Sequence, residues 1–244
     1  GAAKLACVLI AFVFLTGKTA PNGCAGEEVI YVVASADNTL FDTSDGSKSN
    51  GAGSHLFAGI INQPLENSFI TRRALLWFDI ESVLPANAII KSVTLQMNTT
   101  LQIYGEDSPM TVHTVMSAWG EGTSNSDGDG GGGKGAASTV GDATWLHTFF
   151  NTLTWTAPGG DFDPVALSQV SVGLGPVEWP CTDDFIAVVQ DWVDTPANNL
   201  GLLVAGDENF LGTARRFDSR EAFVLSVPPN NSNLPTLEIV YSTP

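Results

Sequence analysis

The sequence predicts an all-β fold, an antiparallel β-sandwich with one short helix, and three observations support this. Apolar, β-branched and aromatic runs recur along the chain, and turn residues separate them. The 244 residues suit one sandwich or barrel, because such domains often reach about 200–250 residues. A helical periodicity stands out in a single segment near the C-terminal third.

The predicted strands differ in how their apolar residues are spaced. Residues 29–35 are nearly all β-branched or aromatic, and residues 74–80 are apolar except for Asp79. The second run therefore predicts a strand in the sandwich core. Residues 89–97 alternate, which predicts a strand with one buried face. The other predicted strands are residues 110–116, 169–174, 201–205 and 237–241.

The predicted helix covers about residues 183–194. Thr182 is a favourable N-cap, and Asp183 and Asp184 complement the positive end of the helix dipole. Pro196 ends the helix. We expect the helix to cover one end of the sandwich with its apolar stripe, which consists of Phe185, Val188, Val189 and Trp192.

The N-terminus predicts a secretion signal over residues 1–26, followed by one domain over residues 27–244. Lys4 precedes an apolar run over residues 5–15, which is too short to span a bilayer. Gly23 and Ala25 fit a cleavage site, so we expect a secreted or cell-surface protein. Lipidation of Cys24 is an alternative, although the preceding residues match a lipobox poorly. The chain starts at Gly1 without Met, so a fragment of a longer protein is also an alternative.

The charge of the chain restricts its partners. The formal net charge is −16, and all the acidic residues lie at or after Glu27. Such a surface repels nucleic acid and anionic membranes, whereas neutral ligands and divalent cations are compatible with it. We therefore expect no nucleic-acid binding and no membrane insertion once the signal is removed. Acidity that simply keeps an extracellular protein soluble is the alternative explanation.

The sequence contains no recognisable catalytic motif. Its three histidines lack the spacing of a zinc site, and no nucleophile elbow or phosphate-binding loop is present. Carboxylate pairs are plentiful, but the sequence singles out none as a glycosidase pair. Cys24 and Cys181 either form a disulfide or leave Cys181 free. We therefore predict a protein that is not an enzyme and depends on its core for stability.

The arginines predict structural ion pairs. The chain has five, all in two short segments that contain or adjoin carboxylates. We expect Arg73 or Arg220 to form a partly buried bidentate pair, with Glu221 or Asp218 as partner. Arg216 belongs to the same predicted network. A site for an anionic sugar is the alternative.

Acidic loops suggest one structural calcium ion. Asp42 and Asp45 lie next to Gly46, and Asp127 and Asp129 lie within a glycine-rich segment, residues 123–139, that predicts a long exposed loop. Neither group matches an EF-hand loop, because the terminal glutamate is missing.

Aromatic residues next to this loop suggest a ligand site. Residues 142–161 contain Trp145, His147 and Trp155. A sugar ring can stack on an indole while a histidine binds a hydroxyl group, so these three are the candidate ligand-binding residues. The alternative is packing, in which the stretch forms a pair of strands with one buried face.

Several short motifs resemble those of DNRLRE-domain proteins. In order they are Arg72-Arg73-Ala-Leu-Leu-Trp-Phe-Asp79, Leu84-Pro85, Trp119-Gly-Glu121, Asp142-Ala-Thr-Trp145-Leu-His147, Trp155-Thr-Ala-Pro-Gly-Gly-Asp161, Asp191-Trp192, Arg216-Phe-Asp218-Ser-Arg220-Glu221 and Pro235-Thr-Leu. The resemblance covers about residues 29–242. The family is similar to the disaggregatase-related domains and to an alginate-binding carbohydrate-binding module family.

The resemblance implies a secreted jelly-roll β-sandwich without a catalytic triad that serves as an accessory or surface module. We therefore predict a non-catalytic domain that binds polysaccharide or extracellular matrix. A structural or adhesive surface protein without a small ligand is the second hypothesis. A polysaccharide-degrading enzyme is the third, and it requires a cleft with converging titratable side chains.

Overall fold

A computed structural model describes residues 26–62, 71–102, 105–128, 132–222 and 233–244. It confirms the all-β prediction of an antiparallel, jelly-roll-like sandwich with an α-helix, Asp183–Asp194 (α1), followed by a 3₁₀ turn, Pro196–Asn198. In these ranges the strands are β1 Glu28–Val33, β2 Ala36–Phe41, β3 Lys48–Ser49, β4 His55–Ile60, β5 Thr71–Trp77, β6 Ile89–Gln102, β7 Ser108–Thr114, β8 Ala136–Ala137, β9 His147–Phe149, β10 Leu153–Thr154, β11 Ser168–Val172, β12 Gly175–Trp179, β13 Leu202–Gly206, β14 Arg215–Asp218 and β15 Thr236–Ser242.

Two groups of antiparallel strands are joined at β4. The first group runs β1-β15-β6-β14-β4, with β12 also paired to β6. The second runs β2-β5-β13-β7-β11. Residues 55–58 of β4 pair with β14, whereas Gly59 and Ile60 pair with β5. β4 therefore passes from one sheet to the other, and the sheet curls around the core.

The main core lies between the two sheets. Leu76 and Val204 come from the second sheet, and Leu95, Phe217 and Ile239 come from the first. All five side chains are buried. The apolar faces of both sheets are thereby removed from water, which is the main favourable contribution to folding.

A smaller apolar cluster, which we call the outer layer, covers the other face of the second sheet. Neighbouring residues of one strand pack in different clusters: Leu75 packs in the outer layer and Leu76 in the main core. Leu203 and Leu202 separate in the same way. This explains the continuous apolar run in β5, because a strand buried on both faces needs no alternation.

The structure confirms the predicted bounds of the helix and its N-cap, Thr182. The Thr182 hydroxyl accepts a hydrogen bond from the Phe185 amide at 3.1 Å. Phe185 and Trp192 of the predicted stripe are fully buried. The amide side chain of Gln190 accepts a hydrogen bond from Ile90 N at 2.9 Å. The helix is therefore fixed against the start of β6.

The glycine-rich segment is not the fully exposed loop that the sequence predicts. Ser124 and Ser126 are buried rather than exposed, and residues 136–137 form β8 against β3. Asp142 accepts hydrogen bonds from the backbone amides of Thr123 and Thr139, which fixes both ends of the segment. Residues 129–131 lie outside the described residues.

The expectations for the N-terminus concern residues 1–25, which the structure does not describe; Cys24 is among them. Cys181 is a free thiol in the described part of the chain. Within the same part, no helix has the length and apolar character required to span a membrane.

Candidate functional site

A cleft between two tryptophans lies at one end of the second sheet. Ala36 begins β2 and pairs with Trp77, the last residue of β5. Trp119 follows β7, and Asn199 follows the 3₁₀ turn. The residues that line the cleft are Ala36, Trp77, Ala118, Trp119, Asn199 and Leu200.

Both indole groups are fixed by the same short segment. Trp77 Nε1 donates to the carbonyl of Asn199 at 3.0 Å, and Trp119 Nε1 donates to the carbonyl of Leu200 at 3.0 Å. Both side chains remain half-buried. Since the polar N–H groups are used by the protein, the accessible parts of the rings offer apolar surface to a ligand.

The cleft is small and shallow. Its volume is about 190 Å³, whereas sites that enclose a small molecule measure roughly 300–1,000 Å³. It can contact one face of an extended ligand but cannot enclose it. Asn199, which lines the cleft, donates through Nδ2 to Phe78 O, and its Oδ1 is buried without a hydrogen-bond partner.

A second feature, the acidic cluster, consists of Asp37, Glu121 and Glu221, with Arg220 beside them. One carboxylate oxygen from each of the three lies within 4.8 Å of the other two. Arg220 binds both oxygens of Glu121, at 2.6 and 2.9 Å, and its Nη2 lies 2.9 Å from Glu221 Oε1. The backbone of Asp37 donates to Glu121 at 2.9 Å, and Asp37 accepts from the backbone of Arg220 at 2.7 Å.

Burial makes this cluster electrostatically unusual. Asp37 is 0% exposed. Burial, reinforced by the charge of Glu221, raises the pKa of Asp37 well above its usual range. Burial also raises the pKa of Glu221 to about 7, against the opposing effect of Arg220. Asp37 Oδ1 and Glu221 Oε2 have no hydrogen-bond partner.

The cleft and the acidic cluster share two segments of chain. Ala36 lines the cleft and is followed by Asp37, while Trp119 lines the cleft two residues before Glu121. Asn38 connects the same segments, because its Nδ2 donates to the Glu121 carbonyl at 2.8 Å. The position of Glu121 is therefore tied to that of Trp119.

The residues predicted to bind a ligand lie elsewhere, in and beside the β9–β10 hairpin. This pairing matches the predicted pair of strands. Trp155 is 5% exposed, packs in the outer layer and donates to Thr144 O at 2.7 Å. Its rings therefore offer no open face, as the packing alternative predicts. Trp145 and His147 are half-buried, and His147 Nδ1 lies 3.0 Å from the Thr144 hydroxyl.

The predicted calcium ligands are not brought together among the described residues. Asp45 accepts from Ser47 N at 3.0 Å, and Asp127 accepts from the backbone and hydroxyl of Ser54 at 2.8 and 2.7 Å. The Asp45 contact lies within its own loop, whereas Asp127 joins two loops that are 73 residues apart. Neither residue nor Asp42 belongs to a described group that could hold a metal ion. Asp129 lies outside the described residues.

The predicted arginine pairs form, but with other partners. Arg73 makes a bidentate pair with Glu208 at 2.7 and 2.8 Å, and Arg220 makes one with Glu121. Glu221 adds a single contact to Arg220. The expectation for Asp218 was wrong, because Asp218 accepts from the Asn98 amide at 2.7 Å.

Arg216, expected in the same network, and Arg215 form no ion pair among the described residues. Arg216 Nε donates to the Thr100 hydroxyl at 2.9 Å. Arg215 is almost completely buried and donates to four backbone carbonyls, those of Val172, Thr213, Ala214 and Glu106. Backbone carbonyls thus satisfy a buried cation that the sequence suggested would need an acid.

No protein-family model matches the chain, and no curated protein matches it. The resemblance to DNRLRE-domain proteins therefore stays a prediction from the motifs.

Proposed function

We propose that this protein is a non-catalytic, extracellular polysaccharide-binding domain that holds sugar rings against Trp77 and Trp119. The observation that carries the proposal is the cleft itself, where two half-buried indoles share one surface and are fixed by consecutive backbone carbonyls. Pyranose rings present C–H faces that pack on aromatic surface. A shallow cleft suits a polymer lying across it.

The lining of the cleft favours binding over catalysis. Its six residues include no titratable side chain. The nearby acidic cluster has unusual pKa values, but the complete burial of Asp37 separates that carboxylate from any polymer. The cleft therefore lacks the converging acid and base that a polysaccharide-degrading enzyme requires.

Charge and motifs favour a neutral ligand and an exported protein. The net charge of −16 disfavours polyanions at low salt. The signal-like residues 1–26 support export, and the motif order resembling DNRLRE-domain proteins supports an accessory or surface role.

The test is binding of the purified protein to a panel of neutral and anionic polysaccharides, by affinity electrophoresis and calorimetry. We expect wild-type binding to a neutral polymer and a loss of affinity in Trp119→Ala. By analogy with base stacking on aromatic side chains, the loss should be about 1–3 kcal/mol, or about 5- to 150-fold. Trp119→Phe, which keeps an aromatic ring, should retain part of the affinity.

Trp145→Ala is the matched control, because Trp145 is also half-buried but lies outside the cleft. It should leave binding unchanged. If Trp145→Ala abolishes binding while Trp119→Ala does not, the ligand site is at the β9–β10 hairpin and the cleft is the wrong site. If wild type binds nothing in the panel, the structural or adhesive hypothesis replaces this proposal.

A further inference from the structure

We propose that the acidic cluster of Asp37, Glu121 and Glu221 is a binding site for one calcium ion. The ion would join three segments that are distant in sequence: the start of β2, the loop after β7 and the residues after β14. The site adjoins the cleft through the shared segments that carry Asp37 and Glu121, but the proposal does not rest on sugar binding.

The geometry of the oxygens fits such an ion. Calcium takes oxygen ligands at 2.3–2.6 Å, so two oxygens on opposite sides of it lie about 4.6–5.2 Å apart. The three carboxylates each place an oxygen within 4.8 Å of the others. Magnesium requires shorter distances and usually keeps several waters, which the complete burial of Asp37 disfavours.

Unpaired buried oxygens give the second, independent observation. Asp37 is 0% exposed, yet its Oδ1 has no hydrogen-bond partner, and Glu221 Oε2 is also buried and unpaired. Buried polar atoms are nearly always paired, because an unsatisfied one destabilises the fold, and a charged one does so more strongly. A cation between the carboxylates would satisfy both oxygens at once.

The charges of the cluster also match a divalent ion. With all groups ionised, three carboxylates and the Arg220 guanidinium leave two negative charges in a largely buried volume. Arg220 already engages both oxygens of Glu121. An ionised carboxylate offers about four acceptor sites, or about two per oxygen. Glu121 Oε1 already accepts from Arg220 and from Asp37 N, whereas Glu121 Oε2 accepts only from Arg220. Room for a cation therefore remains on Glu121 Oε2 and on the unpaired oxygens of Asp37 and Glu221.

A proton is the competing occupant. Burial raises the pKa of both Asp37 and Glu221, so a shared proton would also reduce the repulsion within the cluster. Protonation would satisfy the cluster without any metal, and the experiment must separate these two outcomes.

The experiment titrates Ca²⁺ into the full chain after removal of metals with EDTA, by calorimetry near neutral pH, with Mg²⁺ as the comparison ion. We expect one equivalent of Ca²⁺ to bind more tightly than Mg²⁺ and to raise the melting temperature with increasing ion concentration. Asp37→Asn and Glu221→Gln should each weaken Ca²⁺ binding at least tenfold. Two variants are used so that a folding failure in one does not decide the result.

Asp127→Asn is the matched control, because Asp127 is an acidic residue of a glycine-rich loop that lies outside the cluster. It should bind Ca²⁺ like wild type. Loss of binding in Asp127→Asn, with binding retained in Asp37→Asn, would place the ion in the loop and overturn the proposal. Absence of Ca²⁺ binding by wild type, with higher melting temperature in Asp37→Asn, would show that a proton occupies the cluster instead.

Discussion

His113 lies on β7, where 7% of its surface is exposed and both ring nitrogens have partners. Nδ1 is 2.8 Å from the Asp163 carbonyl, which can only accept, so Nδ1 carries the proton. Nε2 then accepts from the Thr111 hydroxyl at 2.8 Å. Burial, with the nearby charge of Arg73, lowers the pKa of His113, against the opposing effect of Asp163.

The lowered pKa of His113 predicts that the folded protein loses stability in mild acid. Because its pKa is lower in the folded state, the unfolded chain binds more protons as the pH falls below about 6.5, the ordinary value. The contribution of His113 to stability is therefore complete above that pH and decreases below it. We expect NMR titration to show a pKa below 6.5 for His113, and melting of His113→Gln to be less sensitive to pH than wild type between pH 7 and 5. A titration midpoint at or above 6.5 would contradict the assignment.

The ion pairs show how much of a tertiary contact can be predicted from the sequence: the residue that pairs, but not its partner. That Arg73 and Arg220 would pair with acids was predictable, because the chain has 26 acidic residues against 10 lysines and arginines and a guanidinium binds a carboxylate well. Their partners were not, because Glu208 and Glu121 are 135 and 99 residues away. Glu221 and Arg220 were identified from sequence, whereas Asp37 gave no signal.

Strand β2 was missed because its residues look like a turn. Asp37, Asn38 and Thr39 are polar, yet all three are completely buried. The carboxamide of Asn38 accepts from Thr39 N, Ser49 Oγ and Asn50 N, so it replaces the water that these groups would otherwise bind. Sequence patterns miss such a strand because the Asn38 side chain is satisfied by tertiary contacts, which include the carbonyls of Glu121 and Ala143.

Gly59 lies where β4 passes from one sheet to the other. We therefore predict that a side chain at this position destabilises the fold. The φ of Gly59 is +101°, and an added Cβ would lie 2.8 Å from Thr213 O and 2.9 Å from Ala214 Cα. These contacts involve backbone atoms, which cannot move aside without disturbing the β4–β14 pairing. We expect Gly59→Ala to lower the free energy of unfolding by about 2–4 kcal/mol, from unfavourable φ and overpacking, as measured by urea denaturation.

Gly105→Ala is the control for that measurement. A Cβ there meets no atom within 4 Å. Its stability should stay within about 0.5 kcal/mol of wild type, as for most surface substitutions. Equal stability of Gly59→Ala and Gly105→Ala would mean that β4 does not need this backbone conformation.

The described part of the molecule has two apolar clusters, the main core and the outer layer, where a plain sandwich has one. The sequence predicted the sandwich, the helix and the β9–β10 pair, because each carries a local periodicity. It did not predict that the outer layer would cover β5 and β13, since Leu75 and Leu203 look the same in sequence as their neighbours that face the main core. That placement depends on residues 115–119 and 143–162, which supply other members of the outer layer.

Arg73 is the polar link between the outer layer and the sheet beneath it. From β5 it pairs with Glu208, donates to Gly159 O at 2.7 Å and lies 4.9 Å from the ring of Trp145 and 5.1 Å from that of Phe162. Its side chain is partly buried, at 15% exposure. Removing its charge should therefore loosen the outer layer more than the main core.

We expect Arg73→Met, which keeps an apolar stem, to lower the free energy of unfolding by about 1–3 kcal/mol, less than for a fully buried pair because solvent screens Glu208. Hydrogen exchange should accelerate in residues 142–163, while β6 and β15 keep their protection.

Arg216→Met is the matched control, because the described contact of the Arg216 side chain is one hydrogen bond to Thr100 and no ion pair. It should leave exchange in residues 142–163 unchanged. Acceleration spread evenly over both sheets in Arg73→Met would show that the outer layer and the main core unfold as one unit, since local opening of a separate layer exposes only its own amides.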